Sequence, residues 1–252
     1  DLVAPDAVTG CHPFGVLFGS DFVRYGRGSL DQVTGQPIDG ASAVPTGTIY
    51  IAADGYPQLD PQSRVIGDPN ARWLGSVRNT FTLFGRLTLS GLVDIHHGGQ
   101  MWNGTKGALA FFGTPKYTEP YHGAGVTQTY AQYSGQPVAG PGADHPVTFD
   151  ESWFTSNIGS GFTGPASQFV EAAGFVKLRD ISLSYTFDLG LVKRMGFQSI
   201  DVTVAGRNLH TWTDYTGIDP ETNLTGQSIG RGLDYFNNPQ TRSYVLTLNL
   251  NR

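Results

Sequence analysis

The sequence contains a single cysteine, Cys11, in 252 residues. That excludes an intrachain disulfide framework and a multi-cysteine zinc site. Charge is also scarce. Asp, Glu, Lys and Arg make up 15% of the chain, against about 25% in an ordinary soluble domain. The 16 basic and 21 acidic residues give a formal net charge of −5, and no basic run occurs. That argues against a nucleic-acid partner, which calls for a basic face. No stretch of 18 apolar residues is present, so no transmembrane helix is expected. The start, Asp1-Leu2-Val3-Ala4-Pro5-Asp6, lacks the basic and apolar regions of a secretory signal. The expectation is a mature chain, or a fragment whose targeting signal lies elsewhere. Helical periodicity is missing too: 34 Gly and 15 Pro are too scattered for long helices.

Two-residue alternation is abundant, and it marks strands with two unlike faces. In residues 86–95, Leu87, Leu89, Gly91, Val93 and Ile95 alternate with Arg86, Thr88, Ser90, Leu92 and Asp94. Just upstream, Val77, Asn79, Phe81 and Leu83 alternate with Arg78, Thr80, Thr82 and Phe84. Gly85 between the runs predicts a hairpin turning at residues 84–86. Further strands are predicted over residues 175–187, 199–212 and 242–251, with a sixth, less regular, over 14–24. The connections at 84–86 and 188–197 are short. Those over 24–72, 98–174 and 213–241 are long, polar and rich in Gly and Pro. Long and short connections alternate strictly, so the long ones share one end of the strands. This is the plan of an outer-membrane β-barrel, with short periplasmic turns and long extracellular loops. A soluble β-sandwich also gives alternating strands. The Thr, Ser, Asn and Asp of the polar faces and the loop asymmetry favour the barrel.

The C-terminal third carries more specific signals. Phe175-Val176-Lys177-Leu178-Arg179-Asp180-Ile181-Ser182-Leu183-Ser184-Tyr185 resembles a strand of the SusC/RagA-type TonB-dependent outer-membrane transporters. Ala205-Gly206-Arg207-Asn208-Leu209, followed by Thr213-Asp214-Tyr215-Thr216-Gly217-Ile218-Asp219-Pro220-Glu221, is similar to that family's G-x-N-L and T-x-Y-x-G-x-D-P-E stretch. Gly232, Asp234 and Pro239 resemble the stretch before its final strand. Gly67-Asp68-Pro69-Asn70-Ala71-Arg72-Trp73 resembles the entry to an earlier hairpin. The four pieces follow the family's order.

The resemblance implies an all-β fold: an antiparallel transmembrane β-barrel portion of about six strands. Residues 1–252 would be the C-terminal part of a TonB-dependent receptor barrel of about 22 strands, without its plug and TonB box. One departure is the ending Leu250-Asn251-Arg252, where the family usually ends on an aromatic residue. The implied function is import of oligosaccharides or peptides across the Gram-negative outer membrane. It would be energised by the TonB complex, capped by a SusD-like surface lipoprotein and embedded in outer-membrane lipid, with no cofactor and no enzymatic activity. Asn208, Asp214, Tyr215, Gly217, Asp219, Pro220, Glu221, Gly232, Asp234 and Pro239 would be structural motif residues. Trp102, Tyr117, Tyr130, Tyr133 and Trp153 are candidate substrate-stacking aromatics of the long loops, with loop-core or interface-belt roles as the alternative. Two rival functions are a porin-like or adhesin β-barrel without energised transport, and a secreted β-sandwich acting on carbohydrate.

Other motifs point elsewhere weakly. Gly226-Gln227-Ser228-Ile229-Gly230 matches G-x-S-x-G but lacks the strand and helix a nucleophile elbow needs. Gly159-Ser160-Gly161-Phe162-Thr163-Gly164 matches G-x-G-x-x-G without the flanking strand and helix of a dinucleotide site. Asp54, Asp60 and Asp68 offer oxygen ligands for calcium, but they also suit turns. His96 and His97 are adjacent on a strand and face opposite ways, so they cannot chelate one ion together. A glycosidase needs two placed carboxylates, and Asp219 and Glu221 are the pair to test.

Overall fold

A computed structural model describes residues 12–38, 44–188, 190–225 and 231–252. The chain divides into two compact units. One holds the segments 70–99, 172–222 and 238–252, and the other holds the chain up to 69 with 100–171 and 223–237.

The first of these is a single antiparallel sheet of five strands: β1 (Trp73–Leu83), β2 (Leu87–His97), β3 (Phe175–Phe187), β4 (Ser199–Thr213) and β5 (Ser243–Asn251). Their order in the sheet is their order in the sequence, an up-and-down meander. The predicted hairpin is present. Arg86 N–H donates to Leu83 C=O at 3.2 Å, with Phe84 at φ 54° and Gly85 at φ 69°. Two successive positive φ values are what a primed hairpin turn needs to match the strand twist. The 188–197 link carries the short helix Gly190–Arg194. Both short connections therefore lie at one end of the sheet, and all three long ones leave from the other.

Strand register converts the alternation of the sequence into two chemically distinct surfaces. Phe81, Leu89, Leu183, Val204 and Leu246 pair successively across all five strands. Each is at least two-fifths exposed. One residue along, Thr82, Thr88, Ser184, Thr203 and Thr247 form a second row on the opposite face. Their hydroxyls meet in pairs, Ser184 with Thr203 at 2.7 Å and Thr82 with Thr88 at 3.5 Å. An apolar row repeated over five strands exceeds the patch a soluble monomer ordinarily leaves in water. A cover on that face would remove the cost.

The other unit corrects two expectations. The predicted strand over 14–24 is only Leu17–Gly19, paired with Arg64–Gly67 and outside the large sheet. The reason is local. Asp21 accepts hydrogen bonds from its neighbour's N–H (Phe22, 2.8 Å) and from Arg24 Nε (3.1 Å), which diverts the backbone from a ladder. Phe22 and Val23, adjacent in sequence, are both buried, each in a different core cluster. The long connections, predicted as polar loops, instead have a core of their own. Phe22, Ile49, Ile51, Phe149, Trp153 and Phe154 lie at its centre. Tyr133 stacks on Phe149 at 4.3 Å between ring centroids, and Trp153 meets Phe149 edge-on at 5.0 Å, geometries that aromatic quadrupoles favour.

Three short helices frame this core: α1 (Gly104–Phe111), α2 (Tyr130–Ser134) and α3 (Glu151–Thr155). Each starts on a side-chain cap. Asn103 accepts from Lys106 N–H, and Asp150 from Ser152 N–H. Thr129 and Gln132 form a reciprocal capping box. The amphipathic period of 8- and 5-residue helices is too short to stand out in a sequence of this composition.

Candidate functional site

The family-motif residues of β3, β4 and the connection after β4 converge on one charged cluster. Lys177 and Arg179 belong to β3. Under strict alternation they would share a face with Ile181 and Leu183, putting two cations on the apolar face. A β-bulge prevents this. Leu178 pairs with Val93 and Asp180 with Leu92, which leaves Arg179 as an extra residue. On the other side Leu178 pairs with His210 and Asp180 with Arg207, so Asn208 and Leu209 are out of register as well. A bulge shifts the phase of a strand by one residue, and Lys177 and Arg179 join the hydroxyl-bearing face. Asn208 sits at φ 50°, a left-handed value that Asn tolerates better than most residues. Its amide donates to Thr241 C=O at 3.2 Å.

Lys177, 2% exposed, is held by two carboxylates, Asp219 at 3.2 Å and Glu221 at 2.6 Å. Arg179 bridges Asp94 on β2 at 2.5 Å and Glu221, which it grips with both terminal nitrogens. It also donates to Gln240 at 3.1 Å. Asp219 organises the turn that delivers Glu221: it accepts Glu221 N–H at 3.0 Å and Gln240 N–H at 3.2 Å. Pro220 fixes the backbone between the two acids. Buried charges persist only when paired and hydrogen-bonded, and here each has several partners. Burial alone would raise the Glu221 pKa, but hydrogen bonds from Arg179 and Lys177 outweigh it and hold the carboxyl below its ordinary value.

A depressed carboxyl pKa means that folding is favoured by ionised Glu221. The contribution is complete above the ordinary value of 4.5 and is lost as pH falls through the lowered one. Limited proteolysis of the connection after β4 should therefore be slow at neutral pH and accelerate in acid. The Glu221→Gln variant should lose most of that pH dependence, and equal acid sensitivity in both proteins would refute the assignment.

The glycines of the motif have steric causes. A Cβ on Gly217 would meet the ring of the buried Tyr215 at 2.4 Å. Gly232 lies at φ 74°, where a Cβ would strike Pro69 at 2.7 Å. Asp234 is buried and accepts from Thr105 at 3.1 Å. Asp214 is exposed next to Thr213, as is Pro239 next to Gln240.

The five loop aromatics separate into two groups. Tyr130 and Trp153 are 3% and 1% exposed, and Tyr133 is stacked on Phe149. These three are built into the core, and their ring faces are taken by neighbours. Trp102 lines a pocket of about 430 Å³ with Leu17, Phe18, Ile66, Ala166 and Leu233, and stacks on Tyr235. Tyr117 is 40% exposed, with the Lys106 ammonium 5.5 Å from its ring centre.

The remaining motifs resolve into structure. Gly161 donates its N–H to Gly107 C=O at 2.9 Å, and a Cβ on either would collide with the other's backbone. The G-x-G-x-x-G run is thus a close crossing over α1. Asp54 and Asp60 cap turns at Tyr56 and Gln62, and Asp60 pairs with Arg64. Among the described residues, no grouping of three or more His, Cys, Asp or Glu could hold a metal ion. His96 packs on Phe175 and His97 on Trp73, on opposite faces. The G-x-S-x-G run lies outside the described residues. Sequence reasoning missed Lys177, Arg179 and Asp94 as cluster members. The available signal was the conflict itself, two cations in phase with an apolar row.

No family model matches the chain. Among curated proteins, TonB-dependent receptor P3 of Formosa agariphila is 31% identical over 111 residues, 39% of this chain and 11% of that receptor. TonB-dependent receptor P39 of the same organism is 29% identical over 89 residues, 35% of this chain and 9% of the receptor. Among solved structures, the RagAB peptide importer in its open-open state aligns over 100% of this chain and 24% of that one, with 14% identity and a TM-score of 0.48. The closed-closed state gives 16% identity and a TM-score of 0.49. The chain thus spans a small part of the length of the relatives it matches. Over about two fifths of its length the chain is thus similar to TonB-dependent receptors, and its five-stranded meander carries apolar rows on one face and hydroxyls on the other.

Proposed function

We propose that this segment forms part of the wall and the outward-facing connections of an outer-membrane importer for oligosaccharides or peptides. In this reading TonB supplies the energy and a SusD-like lipoprotein covers the outer opening. The observation that carries it is the division of labour in the sheet: one face suited to lipid, the other to a polar interior, and all long connections at one end. The charged cluster acts as a latch that ties the connection after β4 to the polar face of β3 and β2. The motif residues Asn208, Asp219, Pro220 and Glu221 serve that latch, and Tyr215, Gly217, Gly232 and Asp234 shape the chain around it. Asp219 and Glu221 are spent on Lys177 and Arg179, which argues against their use as a hydrolytic pair.

Trp102 and Tyr117 are the aromatics left to meet a substrate. Tyr117→Ala in the full receptor is expected to weaken substrate binding roughly two- to tenfold, since an aromatic contact contributes about 0.5–1.5 kcal/mol. Trp153→Ala should instead lower folded yield. The decisive test is uptake of labelled oligosaccharides and of labelled peptides by cells carrying the full receptor, with and without functional TonB. Uptake of one class that stops without TonB supports the reading. Uptake indifferent to TonB would make this a passive barrel.

A further inference from the structure

The pocket of about 430 Å³ that Trp102 lines is walled almost entirely by hydrocarbon. Val16, Leu17, Phe18, Ile66, Ala166 and Leu233 surround it, and apart from the Trp102 indole one polar side chain joins them, Arg231. Arg231 is exposed, so its charge marks the mouth of the pocket.

One wall is fixed in place by the backbone. Trp102 N–H donates to Gly232 C=O at 2.8 Å, and Leu233 pairs with Trp102 in a parallel ladder. Trp102 stacks on Tyr235, whose ring meets Phe236 edge-on at 4.9 Å. Phe236 is 55% exposed and holds a φ of 54°, its N–H donating to Thr105 Oγ1 at 2.6 Å. A left-handed backbone at a bulky residue persists only where its surroundings enforce it, and such positions cluster at ligand clamps. Another wall is the strand Leu17–Gly19. Among the described residues it has a ladder partner on one side only, Arg64–Gly67. Its second edge keeps backbone donors and acceptors for a further strand.

These walls select their occupant. The hydrocarbon lining rejects a sugar: ring hydroxyls buried there would find no partners, and an unpaired buried hydroxyl is costly. The single cation calls for a carboxylate. The open strand edge calls for a peptide backbone, which an acyl chain lacks. We propose that this pocket binds the C-terminal residue of a peptide. The apolar side chain lies among Phe18, Ile66 and Leu233, the α-carboxylate meets Arg231, and the preceding residues run along Leu17–Gly19. Tyr235 and Phe236 form an aromatic ledge beside it. The inference rests on the importer reading above and narrows its two substrate classes to peptides that end on a bulky apolar residue.

The test is binding of N-terminally fluorescein-labelled heptapeptides to the full receptor in mild detergent, followed by fluorescence anisotropy. One peptide ends in Leu as the free acid, one in Leu amide and one in Gly as the free acid; maltoheptaose and dodecanoate are the competitors. The Leu acid is expected to bind at least about tenfold tighter than either of the others, the effect of one charge-assisted hydrogen bond or one buried apolar side chain. Arg231→Gln should bring the Leu acid down to the level of the amide. Ala166→Trp, which fills the pocket, should bring it down to the level of the Gly acid. Equal binding of acid and amide would overturn the carboxylate assignment, and Leu and Gly endings that bind alike would overturn the pocket. Displacement of the peptide by dodecanoate would give the site to acyl chains, displacement by maltoheptaose would give it to sugars, and either overturns the proposal. If Ala166→Trp does not fold, Arg231→Gln at its exposed position decides: an undiminished preference for the acid defeats the assignment. TonB-dependent uptake of oligosaccharides alone, or of peptides regardless of their last residue, defeats this inference and leaves the importer reading standing. Uptake indifferent to TonB defeats the importer reading, while the anisotropy series still decides the pocket.

Discussion

Glu221→Ala is expected to destabilise the folded chain by about 3 kcal/mol, the lower end of the roughly 3–5 kcal/mol seen when one partner of a buried ion pair is removed. The lower end applies because the Glu221 side chain keeps 25% of its exposure, so solvent screens part of the effect. The loss still falls on two cations at once. Lys177 retains only Asp219 at 3.2 Å, and Arg179 retains Asp94 and Gln240. Lys177, at 2% exposure, has no water to turn to. The connection after β4 also loses its tie to β3. Two readouts should move together: heat-modifiable gel mobility of the full receptor should shift at a lower temperature, and the segment 213–241 should be cleaved faster by added protease. Lys177→Met combined with Glu221→Gln removes the buried charge from both sides and should recover part of the loss. A single variant that matches the wild type in both assays would reduce the cluster to an incidental surface arrangement.

The meander was legible because its information is local and repeated. Four of the predicted strands of the large sheet appear within one or two residues of their expected ends, the first begins at Trp73, four residues before the alternation read from Val77, and the turn at 84–86 is where Gly85 put it. A half-buried strand carries its own orientation in a period of two, so five short segments suffice. The strand over 14–24 failed for the complementary reason. Phe22 and Val23 are buried in two different clusters on successive positions, which no sheet face allows, and Asp21 takes up the hydrogen bonds of the neighbouring backbone. The core of the long connections was illegible because it joins Phe22, Ile49, Phe149 and Trp153 from distant segments, each surrounded by turn-forming residues. The motif cluster was half legible. The acids were named from resemblance, while their cations were hidden by a bulge that alternation cannot represent. Trp102 and Tyr117 were distinguishable from Tyr130, Tyr133 and Trp153 only through burial, which sequence spacing does not encode.

The assignment of faces makes the second large prediction. Leu89→Arg or Val204→Arg puts a guanidinium into the apolar row of Phe81, Leu89, Leu183, Val204 and Leu246. At mid-depth on the lipid side of a barrel this costs about 2–4 kcal/mol, falling toward the interfaces. Arg can shorten the cost by snorkelling toward a headgroup, so Leu89, three residues into its strand, should show the smaller loss of the two. Thr88→Arg and Thr203→Arg place the same charge one residue away, in the hydroxyl row. There the penalty is limited to a lost contact such as Ser184 with Thr203 and to crowding in a polar interior. The four variants share their chemistry and differ only in the side of the sheet, so composition and helix or strand propensity cancel in the comparison. Outer-membrane yield of the full receptor should drop sharply for Val204→Arg and much less for Thr203→Arg. Equal yields across the row boundary would mean that the apolar face is covered by protein, and the chain would then be one layer of a sandwich rather than a membrane wall.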